Sequence, residues 1–240
     1  MSIFLFLTVK SNKLKILQES ILKATETKAD QYLTTEISQY NINWTITNLG
    51  DHKMDRCDWC KSDELYIKYH DEEWGVPRHD DKVHFEFLVL ESAQSGLSWL
   101  TILRKRENYR EAYDDFDPAK VAQYDEEKVC EMLLNSGIIR NRKKIESSIN
   151  NAKRFIEVQK EYGSFDKYIW SFVGNKPVIN SYKNISEIPA TSELSDQISK
   201  ALKNKGFRFL GSITVYSYLQ AVGIIDDHVN TCFKKSVITP

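Results

Sequence analysis

Cysteine is scarce in this chain: Cys57, Cys60, Cys130 and Cys232 are four among 240 residues. So few, so scattered, exclude a disulfide-built scaffold and leave reduced thiols or a metal site, as expected of a cytoplasmic protein. Long apolar runs are missing too. None approaches the roughly 18 residues that a membrane span needs. The opening SIFLFLTV is short, with no basic segment before it and no small-residue cleavage site after it, so no signal peptide is expected. Charge of one sign is also lacking. Lys and Arg total 33 against 34 Asp and Glu, a net −1. That excludes a uniformly basic nucleic-acid binder, though not a local basic face. Strand-like alternation is scarce, and no internal repeat is present.

What is there is an ordinary globular mixture, 41% hydrophobic and 28% charged, with ample material for a core. The spacing predicts an all-α protein of several short helices. A long apolar run over 81–96 ends at Gly96. Helix starts at Asp117-Pro118 and Asp125 lead to a stop at Gly137. A helix over 141–163 aligns Ile145, Ile149, Ala152, Phe155 and Ile156 on one face and stops at Gly163, and another over 192–206 ends in Gly206. The segment SITVYSYLQAVGIIDDHVNTCF then runs almost to the end. Residues 1–53 differ. They offer a modest amphipathic helix on Leu14, Leu17, Ile21 and Leu22, then a polar linker. They read as an N-terminal extension: a regulatory arm, a docking helix, or a start placed too early with Met54 as the true first residue. Residues 54–240 form the main domain.

The pair Cys57 and Cys60 stands as C-x-x-C, which is a redox pair, half of a metal site, or neither. No βαβ pattern surrounds it, so the redox reading is disfavoured. His70 follows, and His228 and Cys232 lie four apart near the far end, a spacing that places both on one face of a helical turn. Cys and His are the ligands of tetrahedral zinc. A site joining 57 and 70 to 228 and 232 would clip the domain ends together and leave no position for a catalytic water. Spacing alone does not choose between Cys57 and Cys60, and buried cysteine is often only a small hydrophobe.

In FEFLVLESAQSGLSW, Glu91 follows four apolar residues. Such a carboxylate either faces solvent or sits in a pocket with a purpose. Glu86 has the better claim to the wet face. Trp59, Tyr66, Tyr69, Trp74 and Trp99 crowd the same region, where core packing is their usual fate. A pocket of aromatic faces plus one acid instead suits a planar cation, such as an N-methylated purine with an exocyclic amine. Further on, Gly206 and Gly211 bracket a tight turn between two helices, where backbone amides can approach a phosphate. Lys200, Lys203, Lys205 and Arg208 surround it. Two more basic runs, IIRNRKKI and LRKRENYR, are either solvated faces or contacts for a phosphate backbone.

Together these blocks resemble the DNA-3-methyladenine glycosylase I family of the helix–hairpin–helix superfamily. MDRCDWC, LYIKYHDEEWGVP, LVLESAQSGLSWLTILRKRENYR, SGIIRNRKKI, YIWSFV, LKNKGFRFLG and YSYLQAVGIIDDH carry the resemblance from Met54 to about Cys232. It implies a helix–hairpin–helix glycosylase fold with one structural Zn2+ on Cys57, His70, His228 and Cys232. It implies a base pocket of Trp59, Tyr69, Glu91 and Trp99, in which Glu91 hydrogen-bonds a flipped 3-methyladenine and Tyr69 and Trp99 stack on it. Gly96 and Leu97 would enter the DNA, and Gly206, Arg208 and Gly211 would meet its backbone. The expected partner is double-stranded alkylated DNA. The expected reaction is hydrolysis of the N-glycosidic bond by a cytoplasmic monomer without a lyase step. Ser95 replaces the usual Ala, GSIT over 211–214 replaces the usual Gly-Thr-Thr, and Cys60 is not implied as a ligand. A non-catalytic zinc-stabilised DNA-binding module is the alternative, and a zinc hydrolase with Glu91 as general base is a more distant one.

Overall fold

The computed structural model describes residues 55–235. The helix and linker expected within residues 1–53 lie outside the described residues. Helix α1 (Glu64–Glu72) opens on Asp63, whose carboxylate accepts from the Leu65 amide, and α2 (Asp81–Gln94) opens the same way on Asp80. Short helices α3 (Trp99–Leu103), α4 (Arg106–Ala112) and α5 (Pro118–Val121) follow. Both expected starts are present: Asp117 caps α5 with Pro118 in its first turn, and Asp125 caps α6 (Glu126–Leu134). The longest helix, α7 (Arg142–Tyr162), buries Ile145, Ile149, Ala152 and Phe155, and Gly163 ends it at φ 85°. Then come α8 (Phe165–Ser171), α9 (Glu193–Asn204) and α10 (Ser212–Ala221).

Helix α2 is the axis of the core. Every residue from His84 to Ala93 is buried, the condition of a helix surrounded on all sides. It packs against α10, α7, α3 and α8. Its first-turn Asp81 also accepts from the Phe165 and Asp166 amides, fixing the start of α8.

Two features depart from the all-helical expectation. Strands β1 (Val178–Ile179) and β2 (Ile225–Asp226) pair in parallel over two residues each, so the described chain is mostly helical. The last helix also stops at Ala221 instead of running on towards Cys232. Gly223 adopts φ +70°, and a Cβ there would lie 2.3 Å from the backbone of Val76 and Pro77. The chain must turn at that point, and β2 then carries it past β1. His228 and Cys232 are consequently brought together by a turn closed by the Cys232 amide on the Val229 carbonyl at 2.8 Å, not by a helical face.

Candidate active site and metal centre

Four ligand atoms converge where the two ends of the domain meet. Those of Cys57, His70, His228 and Cys232 lie within 4.8 Å of one another, and all four residues are buried. Cys232 Sγ is 3.4 Å from His70 Nε2 and 3.5 Å from His228 Nδ1, and Cys57 Sγ is 3.7 Å from His228 Nδ1. Tetrahedral zinc bonds of about 2.3 Å to sulfur and 2.0–2.1 Å to nitrogen require S···N separations of about 3.6 Å. The outer nitrogens fix the tautomers. His70 Nδ1 donates to Asp71 Oδ1 at 2.8 Å, and His228 Nε2 donates to the Trp74 carbonyl at 3.2 Å. Both inward nitrogens therefore present lone pairs, as a metal requires. Arg56 holds Asp71 in turn at 2.7 Å. The cluster can thus hold a metal ion. Cys60 is buried but outside the cluster, its Sγ donating to the Cys57 carbonyl at 3.1 Å.

Beside this centre lies a pocket of about 310 Å³. Trp59, Tyr69, Glu91 and Trp99 all line it, joined by Tyr66 and Trp74. The Trp59 ring meets those of Tyr66 and Trp74 edge-on at 5.1 Å each. Tyr69 and Trp99 are 5.4 Å apart and tilted by 53°, forming a wedge. Trp74 is shared between the two sites, its ring 4.5 Å from that of His228.

Glu91 is only 4% exposed. Its Oε2 has no hydrogen-bond partner, nor does Trp99 Nε1. Burial alone pushes the Glu91 carboxyl up to about 8. The solvent-facing alternative for Glu91 therefore does not hold. The expectation for Glu86 is overturned as well: it is 5% exposed, held by Arg106 at 2.8 Å and Arg110 at 2.9 Å. The two acids of one helix differ in pairing, not in exposure. Arg106 also bonds Glu73 and lies over the Phe87 ring, which stacks on Trp99, so this ion network stiffens the pocket wall.

The sequence did not single out Gln94, Ile185, Ile188, Ser217 or Gln220, which complete the lining. Ile185 and Ile188 come from a segment without periodicity. Ser217 and Gln220 left a signal, two polar residues three apart in the mainly apolar second half of α10. Gln220 Nε2 donates to buried Asp227 at 2.7 Å, as do the Tyr216 hydroxyl and Asn180.

An adjoining groove of about 570 Å³ shares Glu91, Gln94 and Ser217 with the pocket. The 95–98 turn and the α9–α10 connection form its banks. They expose Leu97, Phe209 and Ile213, at 42%, 44% and 63%. Gly206 adopts φ +85°, and a Cβ there would meet Arg154 Cδ at 3.1 Å. Gly211 lies at φ −69° and faces open space, so only the first of the two glycines is conformationally required. Asn151 fastens the turn to α7, accepting from the Arg208 amide at 2.8 Å and donating to the Arg208 carbonyl at 2.9 Å.

The basic runs separate on inspection. LRKRENYR is paired within the protein: Arg104 with Asp63, Arg106 with Glu73 and Glu86, Arg110 with Glu86 and Asp115, and Lys105 bonds the Ser136 carbonyl. Arg142 is held by Glu126 and Glu146. Among the described residues, Lys200, Lys203 and Arg208 beside the α9–α10 turn have no ion pair. No helix among the described residues is long and apolar enough to cross a membrane.

The methyladenine glycosylase family model matches residues 59–235. DNA-3-methyladenine glycosylase 1 of Escherichia coli (strain K12) is 47% identical over 179 residues, 75% of this chain and 96% of that protein. The DNA-3-methyladenine glycosylase of Haemophilus influenzae (Rd) is 44% identical over 177 residues, 74% and 96%. Among solved structures, a 3-methyladenine DNA glycosylase I superposes with TM-score 0.73 at 46% identity, covering 75% of this chain and 98% of that one. The Staphylococcus aureus enzyme, solved for the basis of its 3-methyladenine recognition, gives TM-score 0.73 at 42% identity, covering 76% and 97%. Fold and site thus define a helical glycosylase, an enzyme of the hydrolase class. The chain belongs to the methyladenine glycosylase family.

Proposed function

We propose that this chain excises 3-methyladenine from alkylated double-stranded DNA, the first step of base-excision repair, by hydrolysing the N-glycosidic bond of a flipped nucleotide and leaving the strand uncut. One observation carries the reading: Glu91 offers a buried, unpartnered carboxylate oxygen inside an aromatic pocket. Such an oxygen lacks only a donor, and the exocyclic amine of a flat cationic purine supplies one while the rings take its faces. The names of the relatives support it.

The lesion is already cationic. As the C1′–N9 bond breaks, the electron pair goes to the base, which leaves neutral. Water adds to C1′ and releases a proton to solvent. No acid need protonate the base, and no lysine need attack the sugar. Glu91 holds the departing base, while Tyr69 and Trp99 stack on it and Trp59 closes a wall. Gly96 and Leu97 fill the space left in the duplex. A helix–hairpin–helix element comprising α9, the turn at Gly206, Arg208 and Gly211, and α10 holds the phosphate backbone. Cys57, His70, His228 and Cys232 would hold one zinc ion, which would act structurally, since four protein ligands would leave it no position for a water.

The test is release of free 3-methyladenine from methylated DNA, separated chromatographically. Wild type should release it and leave abasic, uncut strands. Glu91→Gln should lose on the order of 10²-fold in rate, typical for removal of one pre-organised charge-stabilising group. Near wild-type release by that variant would remove Glu91 from the assignment.

A further inference from the structure

Helix α2 ends at Gln94, so its last carbonyls lack helical partners. Lys144, in the first turn of α7, supplies them. Its Nζ donates to the Ala93 carbonyl at 2.8 Å and the Ser95 carbonyl at 2.7 Å. A cation at a helix C-terminus also opposes the negative end of the dipole. Gly96 follows at φ +82°, and the Leu97 amide returns to the Gln94 carbonyl at 2.6 Å. The outcome is a closed turn that projects Leu97 into the groove beside the pocket. Partial burial pulls the Lys144 ammonium pKa down, which sets it apart from a solvated surface cation.

We infer that Lys144 is a positioning residue for damage recognition. It fastens the 95–98 turn to the longest helix so that Leu97 is already shaped to replace an extruded nucleotide. It does so through two carbonyls and not through a phosphate, although it lies in a run of basic residues. A turn ordered before binding loses less entropy on binding. The inference rests on the glycosylase reading above.

The test compares wild type, Lys144→Met and Lys144→Arg for binding to a duplex with a tetrahydrofuran abasic analogue and to an undamaged duplex, across a salt series. Free 3-methyladenine binding is followed by tryptophan fluorescence. Lys144→Met should weaken binding to the abasic duplex about tenfold, as expected for loss of charged hydrogen bonds. Its binding to undamaged duplex, its salt slope and its free-base affinity should stay at wild-type values, and Lys144→Arg should restore most of the loss. A log–log salt slope reduced by about 0.9 would mark a phosphate contact and overturn the inference. So would a Met variant equal to wild type on both duplexes, or a parallel fall in free-base affinity, which marks general damage to the pocket. A wild type that prefers the abasic duplex but releases no base would sink the glycosylase reading and leave the role of Lys144 standing. A wild type that releases base but shows no such preference would overturn the role of Lys144 and leave the glycosylase reading standing.

Discussion

Glu91 sits in a stretch of helix, His84 to Ala93, that has no wet face, and its neighbours explain its chemistry. Burial is the only influence that raises its carboxyl to about 8, so the empty pocket holds it protonated at neutral pH. A cationic base reverses this by supplying both a donor and a positive charge. The effect on stability has a definite sign. From the ordinary carboxylate range up to about pH 8, the folded protein keeps a proton on Glu91 that the unfolded chain releases. Stability therefore falls as pH rises through that window. Calorimetric Tm values measured between pH 5 and 8 should show that decline in wild type and a flatter profile in Glu91→Gln, with the variant relatively more stable at the alkaline end. Parallel profiles would mean that Glu91 ionises normally. In the proposed role of Glu91 the ionised form receives the base, so kcat/KM should rise with pH towards about 8, a limb that the glutamine variant should lack.

At the scale of elements, the connection between α9 and α10 depends on a few unequal positions. Gly206 has a left-handed backbone, Gly211 does not, and Asn151 brackets Arg208 from both backbone sides. Gly206→Ala should cost about 1 kcal/mol or more. Asn151→Ala should cost about 1 kcal/mol by removing both part-buried bonds to the Arg208 backbone, and Gly211→Ala should be near neutral, all read by urea denaturation. Equal effects from the two glycine changes would contradict this account. The glycine pair was visible in the sequence, but its asymmetry was not, because φ depends on how the turn docks. Asn151 was hidden for the same reason: only its partner 57 residues away gives it a role. Helix starts such as Asp117-Pro118 were legible because capping is local. The early stop of α10 was not, since it depends on Gly223 meeting the backbone of Val76 and Pro77. Glu86 misled for a related reason, as its burial is stabilised by arginines on another helix. The aromatic and acidic members of the pocket were legible by their residue types. Ile185 and Ile188 were not, because no pattern marks a loop that folds over a cavity.

Over the whole molecule, the Cys/His centre and the pocket form one structure. Cys57 and His228 are 171 residues apart, so an ion bound there closes a loop spanning nearly the entire domain. A crosslink over such a loop is worth about 5 kcal/mol by chain entropy, which for a domain of this size corresponds to a Tm change of about 10–20 °C. Purified protein should carry about one zinc per chain, as a single four-ligand site requires. Stripping it with a chelator should lower Tm by that amount, and readdition of zinc should restore it. Cys57→Ser should behave like the stripped protein, whereas Cys60→Ser should keep both metal and Tm, since Cys60 only donates to the Cys57 carbonyl. The loss should reach the pocket as well. Trp74 accepts from His228 through its carbonyl, packs its ring on that imidazole, and lines the aromatic pocket, while Trp59 follows Cys57 by two positions. Affinity for free 3-methyladenine, read by tryptophan fluorescence at a temperature where the stripped protein is still folded, should therefore fall on metal removal. If the stripped, folded protein binds the base as tightly as the loaded one, the centre only ties the ends of the chain together and the pocket is built without it.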